Sequence, residues 1–354
     1  MRLALTMGDP AGIGPEIIIK ALARLRERDG SGSPSIIVIG CAEALERAAT
    51  SLGQPAPSRL ADVGAMSGSI FEPVVLALEE GEPAPKLGEI SASGGRFAYL
   101  AVERAVQLAT KGQIDAIVTA PLNKEALNLA GYAYAGHTDM LADMTGVKGS
   151  VMMLAHGDFR VTHVSTHVPL ARVPSLLTPE RLRHVIDLTV KALRMIGIDA
   201  PRLGVAALNP HAGEGGIFGR EDIEVTAPMI ERLRADGLDI EGPVPGDTVF
   251  VKMRAGRYDA VVAMYHDQGH IPVKLLGFRT DPVTGAWVAL NGVNVTLGLP
   301  IIRTSVDHGT AFDIAGKGVA SEESLVEAID YAVLLAGRRN AASADETHRK
   351  GMDR

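Results

Sequence analysis

The sequence predicts an α/β fold in two domains, with parallel strands covered by helices on both faces, and three observations carry that expectation. The chain has 354 residues, enough for two buried cores at about 150 residues per domain. Apolar residues make up 46% but aromatics only 4%, so the core must be built from Ala, Val, Ile and Leu, as in sheets packed between helices. Short aliphatic runs alternate with helical periods along most of the chain.

Taken in order, strands are expected at residues 3–7, 35–39, 116–119, 151–154, 161–165, 203–207 and 260–264. Thr178-Pro179-Glu180 supplies a helix cap, a first-turn proline and an acid at the positive end. Leu182, Val185, Ile186, Val190 and Leu193 then mark one face before Gly197 ends the helix. Leu325, Ile329, Ala332, Val333 and Ala336 make a similar stripe near the end. Residues 55–69 read as an irregular connection, and 337–354 as a charged, frayed stretch.

Composition also excludes classes of function. Lys and Arg total 35 against 42 Asp and Glu, a net charge of −7, so no basic field exists to hold nucleic acid. Gly8-Asp9-Pro10 interrupts the apolar start too soon for a secretory segment, and no apolar run is long enough to span a membrane. The lone Cys41 cannot form an internal bridge. A soluble cytoplasmic protein is expected, without nucleic-acid or membrane partners.

The informative polar residues lie just past the expected strands. Residues 161–165 run into Thr166-His167, 203–207 into Asn209-Pro210-His211, and 260–264 into Tyr265-His266-Asp267. In a parallel sheet those carboxyl ends share one edge, where ligands bind. Three imidazoles there, with no cysteine, suit a borderline divalent cation such as Zn²⁺, Co²⁺ or Mn²⁺ with positions open to substrate. Asp267 and Asp247 are candidates to hold the second nitrogen of a ligating imidazole, or they simply cap turns. His156, His163, His184 and His348 read as ordinary structural or surface histidines.

Two further groups stand out. Gly136-His137-Thr138-Asp139, with Lys274, Asn294 and Arg303, offers donors for a phosphate or carboxylate, and Lys274 and Arg303 lie among aliphatic neighbours where an unpaired cation is costly. The small residues of 307–318 allow close backbone approach to a planar or phosphorylated ligand, and 7–16 is a glycine-punctuated turn between a strand and a helix opened by proline. The 7–16 segment lacks the full spacing of a dinucleotide fingerprint.

Met-Gly-Asp-Pro-Ala-Gly-Ile-Gly-Pro-Glu at 7–16, Ala-Pro-Leu-Asn-Lys at 120–124, Gly-His-Thr-Asp at 136–139, Asn-Pro-His-Ala-Gly-Glu at 209–214, His-Asp-Gln-Gly at 266–269 and the run 292–318 resemble the PdxA family, the 4-hydroxythreonine-4-phosphate dehydrogenases. The end segments more distantly resemble isopropylmalate and isocitrate dehydrogenases. The resemblance implies two α/β/α domains of that kind rather than a standard Rossmann fold. It divides the chain into 1–128 plus 302–338 on the cofactor side, 129–301 for metal binding and dimerisation, and a polar tail at 339–354.

Carried over by residue, the resemblance implies metal ligands at His167, His211 and His266 and substrate contacts at His137, Thr138, Lys274, Asn294 and Arg303. It implies supporting carboxylates at Asp247 and Asp267, and NAD near His308, Gly309, Asp313, Ala315 and Gly316. It also implies a homodimer whose metal ligands come from both chains, holding one divalent ion (Zn, or Mg, Co or Mn). The extended segment 279–291 and the His270 of Gly269-His270-Ile271-Pro272 resemble the branch that oxidises 4-phospho-D-threonate and 4-phospho-D-erythronate.

The expected chemistry is NAD-linked oxidation of a phosphorylated four-carbon hydroxy acid with decarboxylation. The general base is left among water, Asp247 and a lysine such as Lys124, with Asp267 also in the catalytic group. The alternatives are 4-phosphohydroxy-L-threonine oxidation in pyridoxal phosphate biosynthesis and, in another class, a metal-dependent hydrolase or aldolase. The 307–318 segment argues against the last, since neither hydrolase nor aldolase needs it.

Overall fold

The computed structural model describes residues 1–28, 34–65, 72–78, 82–283, 285 and 287–352, and for 65, 287–290 and 339–352 it describes the backbone alone. The chain forms two compact units. One comprises Met1–Ser150, Asp281–Val293 and Leu299–Arg354, the other Val151–Thr280 and Asn294–Gly298. Residues 129–150, expected on the metal-binding side, pack in the first unit, because Met140 and Leu141 of the helix His137–Thr145 enter its core.

In the first unit, parallel strands run in the order Ser58–Arg59, Val74–Ala77, Ser35–Gly40, Arg2–Thr6, Ala116–Thr119, Arg303–Val306. Ser35–Gly40 is buried at every residue, which requires cover on both faces. The strand order reverses about Arg2–Thr6, which lies between the second strand of the chain and Ala116–Thr119, and this opens a crevice at the carboxyl ends. Helix Ala92–Thr110 covers one face with Ala101, Val102 and Ala105 against Ala4, Ile37 and Ile117. It starts where the Ser91 hydroxyl accepts the Gly94 N–H.

In the second unit the order is Val293–Leu297, Val151–His156, Phe159–His163, Ala260–Ala263, Arg202–Ala206, Asp239–Val244. The last four are parallel, whereas Val151–His156 and Phe159–His163 form an antiparallel hairpin. Val161, Val261, Ala263, Ala206 and Val244 pack with Val249, Met253 and Val273 as its core. Helix Pro179–Met195 begins as the sequence predicts, with the Thr178 hydroxyl accepting the Arg181 N–H, and buries Leu182, Val185, Ile186, Val190 and Leu193.

All seven expected strands are present with ends moved by a residue or two. Besides the two-residue Ser58–Arg59, four strands outside that expectation join them: Val74–Ala77, Asp239–Val244, Val293–Leu297 and Arg303–Val306. The Gly-Pro interrupts the pattern of Asp239–Val244, and in Arg303–Val306 the buried Arg303, Thr304 and Ser305 are polar, which hides those two.

The stretch 55–69 contains a short strand and a 3₁₀ turn at Val63–Ala65, and its residues 66–69 lie outside the described residues. The C-terminal segment is helical to Met352 rather than frayed, and 353–354 lie outside the description, as do the side chains of the tail, His348 included. The extended 279–291 segment carries strands Phe278–Thr280 and Trp287–Leu290; Thr284 and Ala286 in it are outside the described residues. Among the described residues, no helix is long and apolar enough to cross a membrane.

Candidate active site

Phe159–His163, Ala260–Ala263 and Arg202–Ala206 are adjacent parallel strands, so the loops carrying His167, His266 and His211 leave one edge of one sheet. Polar side chains stitch those loops together. The Ser165 hydroxyl donates to the Met264 carbonyl at 2.9 Å. Gln268 accepts the Met264 N–H at 2.7 Å and donates to the Ala207 carbonyl at 2.8 Å, which ties two strand ends.

The ring centroids of His167 and His266 are 5.7 Å apart. Two imidazoles bound tetrahedrally to one Zn²⁺ have centroids about 5 Å apart, so this pair suits a shared ion. Asp267 holds His266 Nδ1 at 2.7 Å, leaving Nε2 as the ligating nitrogen. Asp247 is exposed in the first turn of Gly246–Arg254 and bonds to no imidazole among the described residues. His211 is exposed on a turn in which 211–215 all have positive φ, with its ring beside Phe218. No group of three metal-capable side chains assembles within one chain among the described residues, so His211 does not close a site with the other two there.

Beneath His266 lies a second layer of rings, His270 and the His163 that the sequence reads as an ordinary structural or surface histidine. His270 stacks on His266 at 3.5 Å, its Nδ1–H donating to the His266 carbonyl at 2.9 Å, and His163 lies 4.8 Å from His270. Burial pushes His270 down to about 3, helped by the neighbouring imidazoles, and burial likewise takes His163 to about 4. Both are therefore neutral packing rings at pH 7. Gly269 permits the layer, because a Cβ there would lie 2.3 Å from His163 Nε2.

In the first unit, Arg303 is 2% exposed, donates to the Thr119 hydroxyl at 2.6 Å, and has its pKa lowered to about 9 by burial. His137, at the start of His137–Thr145 with Thr138 next to it, has a buried Nε2 without a partner. Burial, and after it the Arg303 charge, hold His137 well below its ordinary value. The Arg303 charge thus acts on the first residue of that helix. Lys124, exposed at the start of Lys124–Leu129, passes beside Gly136. In the second unit, Lys274 lies over the Phe278 ring at 5.0 Å and Asn294 sits on Val293–Leu297.

The segment after Arg303–Val306 is fixed by the chain's first helix. Glu16 accepts the N–H groups of Gly318 (3.1 Å) and Ala320 (2.8 Å), while Lys20 donates to the carbonyls of Gly318 (2.8 Å) and Ala320 (2.6 Å). The Ile13 N–H adds a bond to the Thr310 carbonyl. This clamp is invisible in sequence, where Glu16 is one acid of a glycine-rich motif. His308 donates from Nδ1 to the Gly309 carbonyl, leaving a buried Nε2 acceptor without a partner, and burial lowers its pKa. Gly309 opens onto free space, Asp313 is exposed, and Ala315 and Gly316 follow the 3₁₀ turn Phe312–Ile314.

Comparison with known proteins identifies relatives over almost the whole chain. A Bradyrhizobium diazoefficiens protein provisionally named D-threonate 4-phosphate dehydrogenase is 62% identical over 97% of this chain and 99% of its own. The D-threonate 4-phosphate dehydrogenase of Pectobacterium atrosepticum is 45% identical over 94% and 99%. The crystal structure of a 4-hydroxythreonine-4-phosphate dehydrogenase from Klebsiella pneumoniae superposes with a TM-score of 0.80 at 44% identity, covering 95% of this chain and 98% of that one. The model of the pyridoxal phosphate biosynthetic protein PdxA matches residues 33–332, and with that the chain belongs to the PdxA family.

Proposed function

We propose that this chain is a metal-dependent, NAD-linked dehydrogenase. It oxidises the C3 hydroxyl of a phosphorylated four-carbon hydroxy acid, 4-phospho-D-threonate or 4-phospho-D-erythronate, and the resulting β-keto acid loses CO₂. The observation that carries this reading is the delivery of three imidazoles, on adjacent parallel strands, to one ligand-binding edge. The relatives' names supply the substrate class.

His167 and His266 would hold a divalent cation, and His211 would complete the set from the second copy of a homodimer. When bound, such a cation supplies Lewis acidity to the alcohol and keto oxygens, and NAD takes up the hydride. The chain's own side chains do the rest. Asp267 fixes the His266 tautomer and is thereby an orienting rather than a proton-accepting group. Arg303, His137 and Thr138 in the first unit, and Lys274 and Asn294 in the second, are the candidates for contacts to the substrate's anionic groups, contacts that would orient C3. Lys124 and Asp247 are the exposed candidates for receiving the hydroxyl proton, directly or through water. His308 and the clamped segment 309–316 receive the cofactor's adenosine end.

The test is turnover of 4-phospho-D-threonate, 4-phospho-D-erythronate and 4-phosphohydroxy-L-threonine with NAD⁺, followed at the NADH absorbance with and without EDTA. The two hydroxy acids should outpace the amino acid by about tenfold or more, since a site built for one polar group rejects another. EDTA should abolish all three rates. Consumption of the amino acid alone would assign the chain to the activity named for the Klebsiella pneumoniae structure, and rates indifferent to EDTA would remove the metal from the mechanism.

A further inference from the structure

Residues His211, Ala212, Gly213, Glu214 and Gly215 follow one another in the left-handed region, at φ of 51, 53, 85, 41 and 64°. Three of them are not glycine, and L-residues rarely hold that conformation unless their surroundings impose it. The Ala212 N–H reaches the Asn209 carbonyl at 3.2 Å, and the turn is left through bonds from Phe218 N–H to the Gly213 carbonyl at 3.2 Å and from Ile217 N–H to the Glu214 carbonyl at 3.3 Å. A strained run of this kind is held in place by an anchor outside it.

Asp222 provides it. Its carboxylate is fully buried and accepts the Leu208 N–H at 2.9 Å on one oxygen. The other oxygen takes the Asn209 N–H at 2.9 Å and the Asn209 side-chain amide at 3.2 Å. Glu221 accepts the same amide at 2.8 Å, and Gly219 leaves room for it, since a Cβ there would lie 2.7 Å from Asn209 Cγ. The chain is thus gripped at 208–209, where it leaves the strand Arg202–Ala206, and again at 221–222 beyond the turn.

We propose that Asp222 is a positioning residue that holds the left-handed turn and thereby aims the His211 imidazole at the divalent cation. This rests on the reading of His211 as a metal ligand. Asp222 touches neither cation nor substrate. An asparagine in its place would turn an N–H₂ toward backbone donors and lose the charge that three N–H groups share. A glutamate keeps the charge on a longer arm.

The experiment is titration of the metal-free protein with Co²⁺, read by its visible absorption and by competition with a chelator, for wild type, Asp222→Asn, Asp222→Glu and His211→Ala. Circular dichroism establishes that each variant is folded at the working temperature. The inference expects Asp222→Asn to bind Co²⁺ at least tenfold more weakly with an altered spectrum, approaching His211→Ala, and Asp222→Glu to recover part of the loss. A folded Asp222→Asn with wild-type affinity and spectrum, however lowered its melting temperature, overturns the inference and leaves the metal reading intact. Wild-type protein that takes up no Co²⁺, or His211→Ala that binds it unchanged, overturns the metal reading and this inference with it. If Asp222→Asn does not fold, Asp222→Glu decides alone: weaker binding supports the inference and unchanged affinity and spectrum overturn it.

Discussion

The two units prepare their ligand-facing edges by opposite means. In the first, the backbone does the work: the segment at 308–320 is held by N–H and carbonyl groups gripped by Glu16, Lys20 and Ile13, and helices approach each other through glycine. In the second, side chains do it. Imidazoles are set on strand ends, layered over one another, and one of them rides on a turn whose backbone is strained. A backbone site tolerates no added atom, whereas a strained turn gains from one removed. The contrast can be tested with single methyl groups.

The largest effect is expected in the first unit. Gly95, in the buried face of Ala92–Thr110, lies so close to Lys124–Leu129 that a Cβ would sit 2.0 Å from the Ala126 carbonyl oxygen and 2.6 Å from the Leu127 nitrogen. Both contacts are backbone, so no rotamer relieves them. Gly95→Ala is expected to cost about 3 kcal/mol or more, read as a lowered urea midpoint. Because Lys124–Leu129 would be pushed away, Lys124 should shift from beside Gly136. A midpoint unchanged from wild type would show that the two helices can slide apart freely.

In the second unit, acid supplies the next test. His163 is fully buried and ionises at about 4 in the folded chain against an ordinary 6.5. Between those values the unfolded chain binds the extra proton, so this contribution to stability is complete above 6.5 and declines as pH falls toward 4. At pH 5 one such histidine costs about 2 kcal/mol relative to pH 7. Urea midpoints of metal-free wild type at the two pH values, compared with His163→Asn, measure it. The variant should lose less on acidification, and equal losses would mean that His163 takes up a proton without unfolding.

Much of this was readable in the sequence, and what was not has a physical reason. His167, His211 and His266 are visible because each follows an aliphatic run with a polar break, and a parallel sheet sends such breaks to one edge. Thr178-Pro179-Glu180 announces its helix because capping is local chemistry. Asp222, Glu16 and the His163–His270 layer are not visible, since what defines them is a partner distant in sequence or a ring met from another element. Arg303–Val306 escaped notice for a related reason: Arg303, Thr304 and Ser305 are buried polar residues, and their hydrogen bonds go to Thr119, Ala328 and other partners supplied by the fold.

The smallest effect, and the one of opposite sign, is expected where the second unit's backbone is strained. Ala212 holds φ 53° and ψ 38°. The left-handed region costs a non-glycine residue about 1–2 kcal/mol, and glycine occupies it freely. Against that gain, glycine gives the unfolded chain extra freedom worth about 0.4–1 kcal/mol. Ala212→Gly should therefore raise the urea midpoint by the equivalent of about 0.5–1 kcal/mol. The sign is the informative part. Most substitutions destabilise, so a gain on deleting a methyl from a half-buried alanine has few sources other than released backbone strain. A loss of stability would mean that the methyl's packing outweighs its torsional cost, and the turn would then be held from within rather than by the Asp222 carboxylate.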